Sequence, residues 1–309
     1  TRASTDPGNH PTSQGRYVKS APESLQGRPS RRMPRRRVDP ALLALLGEQL
    51  TDRDRQIALD CYDHRLLTTE QLRRLHFTSP RVAQKRLRRL YELRVLERFQ
   101  PPWQRGEGAT PYHWLLDEAG AHVVAELLGE PREQLRWRRD VALALARSTA
   151  RNHQLAVNEL VTVLTEELAS AGGALREWWG ERRARPALGG LVEPDGYLRL
   201  QLPAGDELSL LLELDRGNED YERLREKAAR YARALPRSQL AARQPIVLLL
   251  VPTQARAKRA AGELAATGAP LGVAAWSADQ PRSPLALLRQ LPPAQPRPPA
   301  NGPARKEPQ

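Results

Sequence analysis

Three carboxylates in the second half of this chain have the types and spacing that metal or acid–base chemistry needs. The run LSLLLELD (208–215) is apolar until it carries Glu213 and Asp215 out of its far end, and EPDG, one hairpin earlier, supplies Asp195. Strand side chains alternate, so Glu213 and Asp215 share a face, and hairpin pairing brings Asp195 beside them. Three such groups at close range repel, and pKa values rise unless a cation sits among them. Oxygen-only ligands suit Mg²⁺ or Mn²⁺, and such an ion activates water and stabilises charge on a phosphate undergoing hydrolysis. Asp195, Glu213 and Asp215 are therefore the candidate metal ligands, with Mg²⁺ or Mn²⁺ the cofactor if the site is catalytic. Lys227, on the helix that follows, is placed to turn inward and orient the water or meet the developing charge. The alternative needs no chemistry: strand-end acids in solvent, paired with Arg182, Arg183 or Arg216.

Holding those acids takes a sheet, and the surrounding pattern supplies one. RNHQLAVNELVTVLTEELASAG reads as a helix, with Leu155, Leu160, Val163 and Leu164 on one side and Gly172-Gly173 as its stop. ALREWWGERRA reads as a strand, and EPDGYLRLQL and LSLLLELD form a hairpin about PAGDE. NEDYERLREKAARYARAL is a helix capped at or near Asn218. QPIVLLLVP is apolar enough for a sheet centre covered on both faces. QARAKRAAGELAATG adds a helix and PLGVAAWS a last strand.

The first half reads differently. ALLALLGEQLTDRDRQIALDCYDHRLL has apolar residues at helical spacing. Thr68 and Gln71 make a capping box that opens a short helix. Ser79 and Pro80 then start SPRVAQKRLRRLYELRVL, with Ala83, Leu87 and Leu90 on one face and Arg81, Gln84, Lys85 and Arg88 on another. VLERF and YHWLL read as a two-strand ribbon, and Asp117 caps EAGAHVVAELLG. Helix, short helix, basic helix and ribbon is the winged helix-turn-helix pattern, in which the third helix enters the major groove. Arg81, Gln84, Lys85, Arg88 and Arg89 are the candidate DNA-reading residues, and Arg105 at the ribbon tip a phosphate contact. A solvated basic face is the plainer reading.

The net charge of +13 and a pI near 10.6 favour a polyanionic partner, double-stranded DNA above all. Lysine appears only at Lys19, Lys85, Lys227, Lys258 and Lys306. Cys61 is the only cysteine and lies in a helical pattern, so it is expected in the core. No Cys/His cluster has zinc spacing, the histidines share no catalytic spacing, and no Walker-type loop appears. Trp178 and Trp179 read as packing. Tyr197 and Tyr231 lack the paired histidines a tyrosine nucleophile would need. No apolar segment approaches the ~20 residues of a membrane span, so no membrane partner and a cytoplasmic protein are expected; no pattern bears on oligomeric state. The expected organisation is a disordered basic arm (1–40), a winged helix-turn-helix (41–130), a connecting helix (131–150), a mixed α/β domain (151–280) and a disordered Pro-rich tail (281–309).

Helix, three strands, helix, strand, with PD on the second strand and ELD on the third, resembles the restriction-endonuclease-like fold of the PD-(D/E)xK nucleases. The resemblance makes Asp195 and Glu213 the metal ligands. Its lysine belongs two residues after the second acid, where this chain has Asp215, so Lys227 would be a lysine migrated to the helix. Glu159 and Glu181 fall where some members carry accessory acids. From about Leu50 to Trp276 the chain also resembles the replication-relaxation family of Gram-positive plasmids and integrative elements, through LLTTEQLRRLHF, RRLYELRVLERF, YHWLLDEAG, HQLAVNEL, WWGER, PDGYLRL and ELDRG in order. That implies a DNA-associated protein of mobile-element replication or transfer, with replication or conjugation proteins as further partners. Two functions stay open: a metal-dependent nuclease or nickase targeted by the winged helix, and a non-catalytic DNA-binding accessory or regulatory protein.

Overall fold

The computed structural model describes residues 36–101, 110–279, 282–289 and 291. It is a mixed α+β structure with two separate sheets, and the described residues from Arg36 on form one compact unit. The expected arm up to residue 35 and the ribbon tip with Arg105 lie outside the described residues.

Helix α1 (Pro40–Gln49) starts on Asp39, whose carboxylate accepts the Leu42 N–H. Helix α2 (Asp52–Asp63) starts with a capping box, Thr51 and Asp54 each accepting the other's backbone N–H. The predicted Thr68–Gln71 capping box opens α3 (Thr69–His76) as expected. Helix α4 (Pro80–Glu92) has Pro80 in its first turn, but Ser79 at the N-cap makes no side-chain capping bond. Ala83, Leu87 and Leu90 of α4 are fully buried with Leu42, Leu46, Ile57 and Leu72. The ribbon of β2 (Leu96–Phe99) and β3 (His113–Leu116) gains a third strand that the sequence did not announce, β1 (Leu66–Thr68), which pairs with β3 to give the order β1-β3-β2. Three residues show no legible alternation, so the pairing partner and not the local pattern makes this strand. Helix α5 (Glu118–Leu128) ends on Gly129 in the left-handed region (φ 65°). Asp117 stands at its N-cap without capping it, because its carboxylate is taken by Arg94 (2.6 Å) and Arg139 (3.2 Å).

The stretch expected to be one connecting helix is broken. A 3-10 turn at Arg132–Leu135 ends on Arg136, itself left-handed (φ 50°), and α6 (Arg139–Leu145) follows. Two buried anchors, Leu135 and Trp137, bracket the break.

Helix α7 (Ala150–Ser170) leads into a five-stranded sheet of order β4-β5-β6-β7-β8. Strands β4 (Ala174–Gly180), β5 (Gly196–Gln201) and β6 (Glu207–Leu214) are antiparallel. Strands β6, β7 (Ile246–Val251) and β8 (Leu271–Ala275) are parallel, joined through α9 (Tyr221–Ala234) and α10 (Gln254–Leu264). The strand expected over ALREWWGERRA stops at Gly180, where α8 (Glu181–Ala187) begins. Alternation works as predicted on β6: Leu210 and Leu212 pack toward α7, and Leu211 packs toward Tyr231 of α9. All of β7 is buried, as its sequence requires. The tail expected to be structureless from 281 contains α11 (Pro284–Leu288). There Leu285, Leu287 and Leu288 close the α7 side of the core, and Glu167 accepts the Leu285 N–H. Its Pro-rich surroundings masked a short apolar helix that only tertiary contact stabilises.

The two sheets are locked through α7. Asn158 donates to the carbonyls of Leu66 (2.6 Å) and His64 (3.3 Å), and the His64 ring stacks on Trp178 at 3.4 Å. At Gly180 the backbones meet so closely that a Cβ would lie 2.3 Å from the Asp63 carbonyl oxygen.

Candidate functional site

Two groups of charged residues are candidates, and the acidic one is built at the end of β6. Gly196 pairs with Leu212, so Asp195 lies across from Glu213, and the Asp195 N–H is bonded to the Leu212 carbonyl (2.9 Å). The Asp195 carboxylate accepts the Leu214 N–H through Oδ2 (2.8 Å), and its Oδ1 lies 2.8 Å from Nε2 of His153 on α7. The same alternation that buries Leu211 turns Glu213 toward α9, where the Tyr231 hydroxyl donates to Oε1 and Lys227 Nζ to Oε2 (3.0 Å). Lys227 also reaches Glu219 (3.0 Å). Asp195, Glu213 and Lys227 thus come together as the sequence suggested, and His153 and Tyr231 join them. Their helical spacing gave no hint of that, because α7 and α9 lie on different sides of the sheet.

Burial sets the electrostatics. Glu213 is 4% exposed. Its burial first, then the Asp195 charge, push its carboxyl up to about 7, against the pull of Lys227 and Tyr231. Burial draws the Lys227 ammonium down, but Glu213 and Glu219 more than offset this and hold it raised. The hydrogen bond to Asp195 holds the His153 imidazole above its usual value. Burial and the neighbouring Glu213 raise the Tyr231 phenol, so it stays a donor.

Asp215 does not complete a three-carboxylate pocket. It lies beyond the last residue of β6, and the chain turns at Gly217 (φ 88°). Its Oδ1 accepts the N–H groups of Gly217 (2.8 Å), Asn218 (3.2 Å) and Glu219 (3.3 Å), and its Oδ2 pairs with Arg256 on α10 (2.6 Å). It builds the turn before α9, a use of aspartate that alternation alone cannot distinguish from ligation. Asp220, not Asn218, is the α9 N-cap. The two accessory acids are spent at the junction of the sheets: Glu159 pairs with Arg74 (2.6 Å) and accepts from Gln71 (3.0 Å), and Glu181 pairs with Arg65 (3.0 Å). Among the described residues, no group of three or more His, Cys, Asp or Glu side chains is placed to hold a metal ion.

A family model described as replication-relaxation matches residues 60–245. The chain belongs to the replication-relaxation family. No curated protein and no solved structure gives a significant match. The matched stretch of this replication-relaxation protein runs from α2 to just before β7. It contains α4, His153, Asp195, Glu213, Lys227 and Tyr231, and leaves Arg256 outside. Membership points to a role in plasmid or mobile-element replication. No helix among the described residues is long and apolar enough to cross a membrane.

The basic group lies on α4 of this replication-relaxation protein. Arg81, Gln84, Lys85, Arg88 and Arg89 are all exposed. Arg86, between them, is not part of the face: its guanidinium holds the buried Asp54 (2.7 Å) and ties α4 to α2. Arg88 shares Glu92 (3.1 Å) with Arg89 (3.9 Å), and Arg89 also reaches Gln49. Arg81, Gln84 and Lys85 make no side-chain hydrogen bond or ion pair among the described residues. Beside the acidic cluster, a cleft of about 430 Å³ opens at the carboxyl ends of β6, β7 and β8, with Asn152, Arg216 and Trp276 on its walls. Such crevices are where open α/β sheets hold ligands.

Proposed function

We propose that this chain binds double-stranded DNA through α4, acting in plasmid or mobile-element replication as a protein whose acidic cluster is structural. The observation that carries the reading is the outer face of α4, where Arg81 and Lys85 stand without acidic partners on a helix anchored by Leu87, Leu90 and the Arg86–Asp54 pair. The order α2, β1, α3, α4, β2, β3, with sheet order β1-β3-β2, supports a winged-helix reading, in which the third helix enters the major groove. The net charge of +13 supports a polyanionic partner. Replication or conjugation proteins as further partners rest on the family alone. Titrating the chain with duplex DNA at several salt concentrations tests the proposal. Lys85→Ala with Arg88→Ala should weaken binding about tenfold and reduce the logarithmic salt slope by roughly 1.8, the share of two phosphate contacts. An unchanged slope would remove α4 as the docking element.

One observation favours a second reading, metal-dependent cleavage: Lys227 stands 3.0 Å from Glu213, with Asp195 across the ladder. Two carboxylates are the right kind of donor for Mg²⁺ or Mn²⁺, and Asp195 and Glu213 would hold the ion. The arrangement does not fit a resident ion. Each of the four carboxylate oxygens already has a protein partner, Glu213 is closed under α9, and Glu219 meets Glu213 through the Lys227 ammonium they share, so that among the described residues no third acid joins them as a ligand. Supercoiled plasmid incubated with Mn²⁺ or Mg²⁺ decides the matter. Nicking by the natural chain that Asp195→Ala, Glu213→Ala abolishes would establish cleavage; binding without nicking leaves the structural reading standing.

A further inference from the structure

Arg98 has no assigned role, yet its guanidinium lies against three aromatic rings. Its residue on β2 stands directly across from Trp114 on β3, and Tyr112 lies two residues before that partner, on the diagonal. The guanidinium carbon sits 4.6 Å from the centroid of the Tyr91 ring, 4.3 Å from that of Tyr112 and 5.8 Å from that of Trp114. The rings are themselves anchored. Tyr91 is on the last turn of α4, the Tyr112 carbonyl accepts the Thr69 N–H (3.1 Å), and the Trp114 indole donates to the Thr69 hydroxyl (2.9 Å). No carboxylate or carbonyl takes the Arg98 guanidinium among the described residues; only its backbone N–H is bonded, to Glu97.

Stacked arginine keeps its planar fork of donors free while the rings fix its position, so less side-chain entropy is lost when an anion arrives. A bidentate fork matches two oxygens of one phosphate. The location fits the same partner. Gln84, Arg88 and Tyr91 follow one another at helical spacing on α4, and Tyr91 meets Arg98, so the cage continues the row of Gln84 and Arg88 onto β2.

We propose that Arg98 is a contact to a DNA backbone phosphate at the base of the ribbon, held ready by Tyr91 and Tyr112. This rests on the DNA-binding reading above and adds to it a second docking element. Phosphate contacts fix register and orientation without reading sequence. Arg98 would thereby set how α4 lies against the duplex.

The test uses the full chain and mixed-sequence duplexes, with affinity followed across salt concentrations and thermal melting followed in parallel. Arg98→Gln should weaken binding about tenfold on every duplex and lower the salt slope by about one. Arg98→Lys keeps the charge, so its slope should stay near that of the natural chain while affinity falls about threefold, the share of the lost fork and stacking. Tyr112→Leu should do the same with no change of charge at all. If Arg98→Gln melts lower but binds with unchanged affinity and slope, the cage is a packing device and the proposal fails. A loss confined to particular sequences would make Arg98 a base contact and also overturn it. The underlying reading fails separately, in that case by the natural chain showing no salt-dependent duplex binding.

Discussion

The outer face of α4 and the end of β6 both concentrate charge, and they use it in opposite ways. On α4 the cations point to solvent, and Arg81 and Lys85 have no acidic partners. At the end of β6 the charges are saturated, with Glu213 buried and Asp195, His153 and Lys227 half-buried: Asp195 on Leu214 and His153, Glu213 on Lys227 and Tyr231. A charge in water costs the fold almost nothing and is available to a partner. A buried charge is tolerated only when paired and hydrogen-bonded, and pairing leaves it little to offer. Residue type and spacing look equally suggestive in both places; only the count of unfilled bonding positions separates a surface with donors to spare from one that holds the sheet to its helices.

The sharpest way to break this contrast is Glu213→Ala. It strands the Lys227 ammonium and the Tyr231 hydroxyl inside the structure, and should cost about 3 kcal/mol, the low end for one member of a buried pair because Lys227 keeps some solvent. The urea midpoint should fall with an unchanged slope. A loss within about 0.5 kcal/mol, the range of ordinary surface changes, would mean the cluster is not structural. The pH dependence sharpens the same point. Glu213 titrates at about 7 in the fold against an ordinary 4.5. Below 4.5 it is protonated whether folded or unfolded. As pH rises from there toward 7 the unfolded chain ionises first, so stability drains; above about 7 the loss stops. His153, raised by Asp195, acts in the same direction, its paired charge being lost as pH rises through its folded value. Glu213→Gln should therefore flatten the fall in melting temperature between pH 4.5 and 7. Parallel curves for the natural chain and the variant would place the Glu213 carboxyl in a different environment.

A smaller effect belongs to the junction that joins the two sheets. Asn158→Ala removes the donor to the Leu66 and His64 carbonyls, both deep in the contact, and should cost about 2 kcal/mol. Denaturant unfolding followed by far-ultraviolet circular dichroism measures it. A change under half of that would mean the Gly180–Asp63 contact and the Arg74–Glu159 pair suffice to hold the halves together.

Much of this architecture is written locally and some is not. Capping boxes, apolar periodicity and strand alternation are properties of a few neighbouring residues, which is why α3, α4, the β5–β6 hairpin and the all-buried β7 are legible. Strand β1 and helix α11 are too short to carry a period and exist because β3 and α7 give them partners. The convergence of Asp195, Glu213 and Lys227 was legible for a specific reason: strand register joins the first two, and the first turns of α9 bring the third within reach. His153 was not, since nothing local places the start of α7 over the end of β6. Asp215 failed for the reverse reason. Alternation does put it on the α9 and α10 side of the sheet, but the chain leaves the strand there, and the backbone N–H groups of its own turn and Arg256 take the carboxylate. Glu159 and Glu181 look like accessory acids only while the other half of the molecule is out of view.

The smallest expected effect tests the other side of the contrast. Lys85→Ala with Arg88→Ala should change folding stability by less than about 0.5 kcal/mol. Lys85 makes no bond that the fold would miss. Arg88 gives up an exposed pair with Glu92, worth about 0.3–0.5 kcal/mol, and alanine's helix propensity returns part of it. Arg88 is 73% exposed, so no burial is lost either. The same two substitutions are expected to weaken duplex binding about tenfold, near 1.4 kcal/mol of interaction. A face that matters to a partner and not to the fold must show that imbalance. If melting drops with binding in proportion, the basic residues of α4 are part of the packing, and the distinction between the two charged regions disappears.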